Sequence, residues 1–465
     1  MKLRSALGFI AMSAYAGAAS ANGFYIPQLS IVGLGRAHAG NVVAATDPST
    51  AYLNPAAMPS LYGDSPCDSP NECPRDANRM SAGFASLHPY LDMDDRGTST
   101  ASPASLGTPV PTGGSNGGNA LGGPAPVPSV YFTHAADNNL VLGLAVNAPF
   151  GMSSKYDRDW FGRYDSISSR LLTINLQPSI AYQWGSFSIG AGVDLQYADA
   201  RLTQALPQTL TLPGAETPPS PESDATGELS ASDWGVGYNI GIHWAVNDAV
   251  VLGAHYRSAM RHSFHGQNSI RGYSGPLSLL NGKTGAKFEL ELPAIISAGV
   301  RWTPEIALGG RQSTREIALL ADITAFQWSS LDELSVKLDV PPPAPNRNVK
   351  ELDFRDTYML SVGAEWTMSQ SFTLRGGVSY DRTPTRDSAR ETRVPDGDRW
   401  WYCLGMSMST ADDRHTVDIA LAHAVFEESG IARDDTLVLG TGNQQLRAGA
   451  ETTVSTIAVN YRMSF

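Results

Sequence analysis

The chain has 465 residues, 42% hydrophobic and 17% charged, with 45 glycines and 30 prolines. That mixture suits many strands joined by many turns, and past the N-terminus no apolar run approaches the roughly 20 residues of a spanning helix. A formal charge of −12 leaves no basic face to neutralise phosphates, so nucleic acid is not an expected partner.

The first element reads as an export signal. Lys2 and Arg4 form its positive end, an apolar stretch runs from Ala6 to about Ala18, and Ala19-Ser20-Ala21 is a small-x-small cleavage site. The stretch is too short for a retained anchor, so the mature chain is expected to begin at Asn22. Losing Lys2 and Arg4 takes the net charge from −12 to −14.

Residues 22–62 do not alternate. Small residues dominate from 33 to 57, which favours short helical turns and close packing. Such a segment has no core of its own, and ahead of a barrel it would fit inside the lumen as a hatch. Residues 63–77 read as a linker. In an exported protein its Cys67 and Cys73 are a plausible disulfide closing a small loop. Zinc is the weaker alternative, because five intervening residues match no common ligand pattern and no histidine is near. Cys403 is left over and reads as a packed strand residue.

From residue 78 to residue 465 the sequence alternates. Phe187, Ile189, Ala191, Val193, Leu195 and Tyr197 share one face, with Ser188, Gly190, Gly192, Asp194 and Gln196 on the other. A period of two means a strand with one apolar and one polar face. Fourteen such segments centre near residues 84, 130, 143, 177, 195, 238, 257, 294, 320, 359, 377, 404, 420 and 459. Their connections alternate long (91–126, 150–170, 203–230, 268–284, 329–350, 383–398, 427–450) and short (136–138, 185–186, 247–248, 410–415), with one of middling length near 304–313. An even strand count and alternating loop lengths are expected of an outer-membrane barrel with both ends in the periplasm. The last strand ends on an aromatic, Phe465. The expected fold is therefore all-β: a 14-stranded antiparallel transmembrane β-barrel with an N-terminal hatch, or plug, inside its lumen.

Several motifs then carry a resemblance. Gly23-Phe24, Gly33-Leu34-Gly35-Arg36-Ala37 and Asn54-Pro55-Ala56 open the mature chain. They are followed in order by Trp160-Phe161-Gly162-Arg163-Tyr164, Gln177-Pro178-Ser179, Gln327-Trp328-Ser329, the run from Leu374 to Pro384, and Pro395-Asp396-Gly397-Asp398-Arg399. In this order they resemble the FadL/TodX family of outer-membrane channels for long-chain fatty acids and aromatic hydrocarbons. The Gly-rich first loop and the Cys67–Cys73 insertion depart from the pattern. The resemblance implies passive uptake: outer loops catch a hydrophobic molecule, it enters a pocket above the hatch, and it leaves sideways through the barrel wall. It also implies that a kink in the third strand meets Asn54, Pro55 and Ala56.

The residues give that route some physical basis. Pro149, within Asn147-Ala148-Pro149-Phe150-Gly151, cannot donate a ladder hydrogen bond, so a bulge or kink is expected there; the alternative is that the strand simply ends. Arg163, flanked by Trp160, Phe161 and Tyr164, is the candidate for a carboxylate head group, with an ion pair to Asp159 or Asp165 as the alternative. Phe24 and Tyr25 could reach the pocket from below, or be ordinary plug packing.

Other chemistries find little support. Gly33-x-Gly35 lacks the third glycine of a dinucleotide fingerprint, and no Gly-x-Ser-x-Gly elbow appears. His262 and His265 read as a solvated rim rather than a metal site, and Asp92, Asp94 and Asp95 as a hydrated loop tip. Neither an enzyme, a cofactor nor a metal is expected. Expected partners are hydrophobic small molecules, membrane lipid and lipopolysaccharide, around a monomer. A surface receptor or adhesin remains an alternative, suggested by the long loops.

Overall fold

A computed structural model describes residues 23–63, 77–101, 107–208, 220–304, 316–340, 346–437 and 442–465. Cys67 and Cys73 lie outside them. The first strand, β1, is Asn78–Asp95, followed by β2 Ala125–Ala135 and β3, which runs in two pieces, Leu140–Asn147 and Gly151–Lys155. Next come β4 Ser168–Trp184, β5 Phe187–Leu206 and β6 Ala225–Asn247. β7 is Val250–Arg257 and Met260–Arg271, β8 is Gly282–Leu292 and Ile295–Trp302, and β9 is Glu316–Phe326 and Glu333–Leu338. β10 is Arg347–Glu351 and Thr357–Ser369, β11 is Phe372–Asp381, and β12 is Arg399–Ser409. β13 is His415–Phe426 and Ser429–Thr436, and β14 is Asn443–Ser464.

Sequential strands pair antiparallel, and β14 returns to β1 with Arg79 opposite Ser464 and Asp95 opposite Ala448. The sheet is thus a closed barrel of fourteen strands, and closure removes the edges that an open sheet would leave unpaired in lipid. Short turns are built by side chains that cap their own backbone. Asp137 accepts from the amides of Asn139 and Leu140, and Asn247 from those of Ala249 and Val250.

The burial pattern is the inverse of a soluble protein's. Val236 is 67% exposed, whereas Asp194 and Gln196 are each 1% exposed. Apolar side chains face outward and polar ones fill the interior, as a bilayer solvent demands. Two belts of exposed aromatics bound the apolar band: Trp184, Trp244, Trp302 and Trp366 near the short turns, and Tyr90, Trp234, Tyr238 and Trp400 nearer the long loops. Along β6, Trp234 and Trp244 are about 33 Å apart on the strand, hence about 25 Å along a barrel axis tilted by ~40°. That matches the apolar height of an outer-membrane barrel.

The segment from Phe24 to Tyr62 occupies the lumen. It holds two one-turn helices, α1 (Ile31–Leu34) and α2 (Thr50–Leu53), and a 3-10 helix over Pro55–Tyr62. Ser30 caps α1 through Gly33 N, and Asn54 caps the 3-10 helix through Ala56 N. The segment touches the wall all round. Arg36 pairs with Glu365 on β10 at 2.7 Å, Arg257 on β7 donates to Tyr52 O at 2.7 Å, and Arg462 on β14 donates to Thr46 O at 2.6 Å. Gly35 meets Gly405 of β12 backbone to backbone, an approach that a side chain on either would block. Ala37 and His38 sit at φ +53° and +70°, unusual for non-glycine residues and a mark of local strain.

Candidate functional site

Three layers stack between the long loops and the hatch. In the outermost, Tyr156 and Trp160 stack at 3.8 Å and Phe161 packs against Trp160 at 5.0 Å. Trp160, Phe161, Arg163 and Tyr164 are all buried. Arg163 donates from Nε to Asp224 Oδ2 at 2.8 Å, from Nη1 to Gly113 O at 3.0 Å and from Nη2 to Tyr164 Oη at 3.2 Å. Its ion-pair partner is therefore Asp224, not Asp159 or Asp165. The guanidinium, fully buried, ties three loops together rather than facing open space.

The cations that do face space are others. Lys350 and Arg433 line a chamber of about 550 Å³ together with Tyr164, Asp165 and Gln204. Lys350 pairs with Asp165 and, at 2.8 Å, with Glu391. Burial pushes the Asp165 carboxyl up, but the charges of Lys350, Arg393 and Arg433 more than offset this and hold it well below the carboxylate range. Glu391 is lowered by the balance of the same kinds of effect, burial opposed by Lys350 and Arg393.

Below this chamber and sharing Gln204, Leu338 and Lys350 with it lies a cleft of about 120 Å³, lined by Leu202, Leu206, Leu229, Ile270, Leu334 and Val336. Leu229, Leu334 and Val336 also pack on a buried apolar cluster containing Phe24, Phe150, Phe264, Phe288, Trp328 and Phe354. Phe24 meets Trp328 edge-on at 4.8 Å, and Tyr25 meets Phe326 at 5.0 Å. Apolar surface is thus continuous from the outer cleft to the first residues of the hatch.

Beside that floor the wall is interrupted. Val130 and Val146 are the last β2–β3 pair on this side. Further out, Ala125–Ser129 of β2 pairs with β1, and Gly151–Lys155 of β3 pairs with β4. Among the described residues no ladder joins β2 to the outer piece of β3. Pro149 sits at the break, and the hatch supplies substitute bonds there: Ile26 N to Pro149 O at 2.9 Å and Gly151 N to Phe24 O at 2.8 Å. Thr173 of β4 bonds both N and O of Phe150, and Asn147 Nδ2 donates to Tyr131 Oη at 3.3 Å. The strand resumes beyond the proline, so the interruption is internal.

The Asn54-Pro55-Ala56 motif lies elsewhere. Asn54 Nδ2 donates to Val42 O and to Ile242 O of β6, and Ser188 of β5 donates to Ala56 O at 2.6 Å. The backbone bonded to the break is that of Phe24 to Ile26, not the motif as the resemblance implied. The histidine reading also needs correction. His262 is fully buried on the lumen face, 3.1 Å from Gln196 Oε1, while His265 is outside, because residues three apart on a strand face opposite ways. Asp94 and Asp95 are exposed at the rim, with Asp95 capping Gly97 N and Thr98 N. Cys403 is buried on β12. Lys350, Arg393, Arg433 and Asp224 carried no sequence signal, since nothing in their neighbouring residues marks them out, whereas Trp328 and Asp396 fell within motifs quoted above.

Comparison with known proteins agrees with this architecture. Residues 12–465 match the family model of the outer membrane protein transport protein family, OMPP1/FadL/TodX. Outer membrane protein P1 of Haemophilus influenzae is 26% identical over 443 residues, 91% of this chain and 90% of that one. The long-chain fatty acid transport protein of Escherichia coli is 25% identical over 428 residues, 86% of each. Among solved structures, a Pseudomonas aeruginosa FadL homologue superposes with a TM-score of 0.79 at 24% identity, covering 95% of this chain and 100% of that one. The Ralstonia pickettii toluene transporter TbuX gives 0.62 at 18%, with coverages of 95% and 100%. A signature spanning nearly the whole chain, on a closed fourteen-stranded barrel, places this protein in the Gram-negative outer membrane as a member of the OMPP1/FadL/TodX transport family.

Proposed function

We propose that the protein is a passive uptake channel for hydrophobic molecules, with long-chain fatty acids as its principal substrates. The observation that carries this reading is the apolar track from the outer cleft to Phe24, whose neighbouring backbone is bonded to the break in β3. A molecule enters the leucine-lined cleft with its polar end toward Lys350 and Arg393, both on the cleft's rim. Its chain then transfers to the aromatic cluster around Phe24, Phe150 and Trp328, whose side chains move apart to admit it. Each methylene removed from water contributes about 0.8 kcal/mol, enough to extract a long chain step by step. Release is sideways, between β2 and the outer piece of β3, once the hatch residues Phe24 to Ile26 let go of Pro149 and Gly151. In this scheme Asn54, Pro55 and Ala56 anchor the hatch to β5 and β6 so that only its first turn moves. Arg163, with Trp160, Phe161 and Tyr164, is the strut that keeps the chamber's outer wall in place.

Uptake of monoaromatic hydrocarbons by the same route is a second reading. The rings of Phe24, Phe150, Phe264, Phe288, Trp328 and Phe354 favour it, and the toluene transporter TbuX shares the fold. Uptake of labelled oleate and labelled toluene is measured in cells with and without the gene. The fatty-acid reading expects oleate uptake to fall severalfold on deletion. Loss of toluene uptake alone would favour the second reading, and unchanged uptake of both would overturn the proposal.

A further inference from the structure

The wall has a second irregularity, on its outward face across β7 to β10. The outer pieces of β8 and β9 share two rungs, Ala286 with Leu338 and Lys287 with Lys337. Among the described residues the ladder then lapses until Ile295 meets Phe326. Where the strands part, the outer surface is hollowed into a notch of about 620 Å³.

A row of basic side chains crosses the notch. His265 of β7 stands opposite Lys287 of β8, Lys287 opposite Lys337 of β9, and Lys337 opposite Arg347 of β10. All four are exposed, line the notch and point outward, since their neighbours Phe264 and Phe288 are buried on the lumen side. Directly opposite residues hold their Cβ atoms about 5 Å apart, and like charges so placed repel. The acids sharing the notch lie nearer the short turns, and arginines occupy them. Glu291 and Glu289 are 3.1 Å and 4.0 Å from Arg261, and Glu333 is 2.8 Å from Arg347. Asp339 lies beyond the row, against Gly285. Lys287 and Lys337 have no ion-pair partner among the described residues. Two unpaired ammonium groups therefore sit abreast in a concave surface, beside a third cation.

Their level in the membrane says what meets them. His265 lies opposite Ser232, two places outside Trp234 of the outer aromatic belt. The row thus begins about 5 Å beyond that belt, within the headgroup layer that flanks the hydrocarbon by roughly 5–8 Å. On the other side of the rim the charge is reversed: Asp92 faces Glu451 in register, both exposed. Attraction of anionic headgroups is thereby directed to one sector of the barrel.

We propose that this notch is a binding site for the phosphate groups of an outer-leaflet glycolipid. Lys287 and Lys337 grip the phosphate from β8 and β9, and Arg347 supports them from β10. The bound anion removes the repulsion within the row and ties together two strands that share few bonds of their own. The site is separate from the uptake route and does not rest on that reading.

The test uses the full-length protein in detergent and equilibrium binding of radiolabelled lipid A, of lipid A stripped of its phosphates, and of inorganic phosphate as competitor. Folding of each variant is checked by the shift in gel mobility on heating. In the double variant Lys287→Gln, Lys337→Gln, affinity for lipid A is expected to fall about tenfold. The control Lys283→Gln, on the same face but outside the notch, is expected to change it less than about twofold. Equal binding of the stripped lipid, equal losses in the control and the double variant, or no loss in either would overturn the site. Displacement of lipid A by an equal concentration of inorganic phosphate would make the free ion the ligand and overturn the glycolipid as its source. Oleate uptake stays at the wild-type level in the double variant if the site is separate, and a parallel loss of uptake would overturn that separation.

Discussion

Among single residues, Asp165 shows how the outer chamber is held. Its carboxyl is fully buried, paired with Lys350 and 3.7 Å from Arg393, and it accepts from Thr392 N at 2.9 Å. Since its folded pKa is depressed, the stability it contributes is present above the ordinary carboxylate value and lost only as pH falls through the depressed one. Replacing Lys350 by Met leaves burial with less opposition, so the pKa rises and the loss moves to higher pH. Breaking such a buried pair costs about 3 kcal/mol. Limited proteolysis of the loops at about pH 4 is expected to leave the wild type intact and to cut K350M. None of this is legible from neighbouring letters. Sequence proximity suggests Asp159 or Asp165 for Arg163, yet the partner, Asp224, lies 61 positions away, and Asp165 finds Lys350 185 positions away. The aromatic content of the Trp160–Tyr164 motif is readable, but the pairing of its charge depends on where loops from distant strands meet.

At the level of elements, the strands follow from period two alone. Thirteen of the fourteen expected centres fall within a strand of the barrel and the other, at residue 294, in the break between the two pieces of β8, because alternation between lipid-facing and lumen-facing positions is imposed along the whole wall. Interruptions are harder. Pro149 signals the break in β3, since proline lacks the donor, and Pro293 stands between the two pieces of β8. The breaks in β7 and β13 have no such marker. What the sequence does not reveal is the partner that the hatch supplies at β3, because Phe24 and Tyr25 read equally well as plug packing. If that break is the exit, P149T together with G151V should restore pairing toward β2. Oleate uptake is expected to fall at least fivefold while heat-modified mobility stays that of a folded barrel. Wild-type uptake in a folded double variant would place the exit elsewhere.

For the whole molecule, loop lengths and the aromatic belts set orientation, and the inverted burial pattern sets the solvent. Both are readable because the bilayer acts on every strand in the same way. The packing inside is not, since the hatch has no periodicity and its contacts come from all sides. The hatch makes a clear expectation for conduction. With most residues from Phe24 to Leu61 buried against the wall, the bore is expected to hold no wide aqueous path. In planar bilayers the intact protein is expected to give no porin-sized steps, whereas a variant lacking residues 24–61 opens steps at least severalfold larger. Large steady conductance from the intact protein would mean that the hatch does not seal.

The same contacts set an order in time. Gly35 rests on Gly405, His38 stands edge-on to Trp401, and Arg462 holds Thr46. The earliest part of the chain to be made is thus a part whose binding surface is completed last. Until the final three strands arrive, the hatch lacks these contacts, though Phe24, Tyr52, Asn54 and Ala56 already have partners on β3, β7, β6 and β5. Contacts of such sequence separation close slowly. Barrel closure and the completion of the plug then become one late event, so a partly assembled barrel is also an incompletely plugged one.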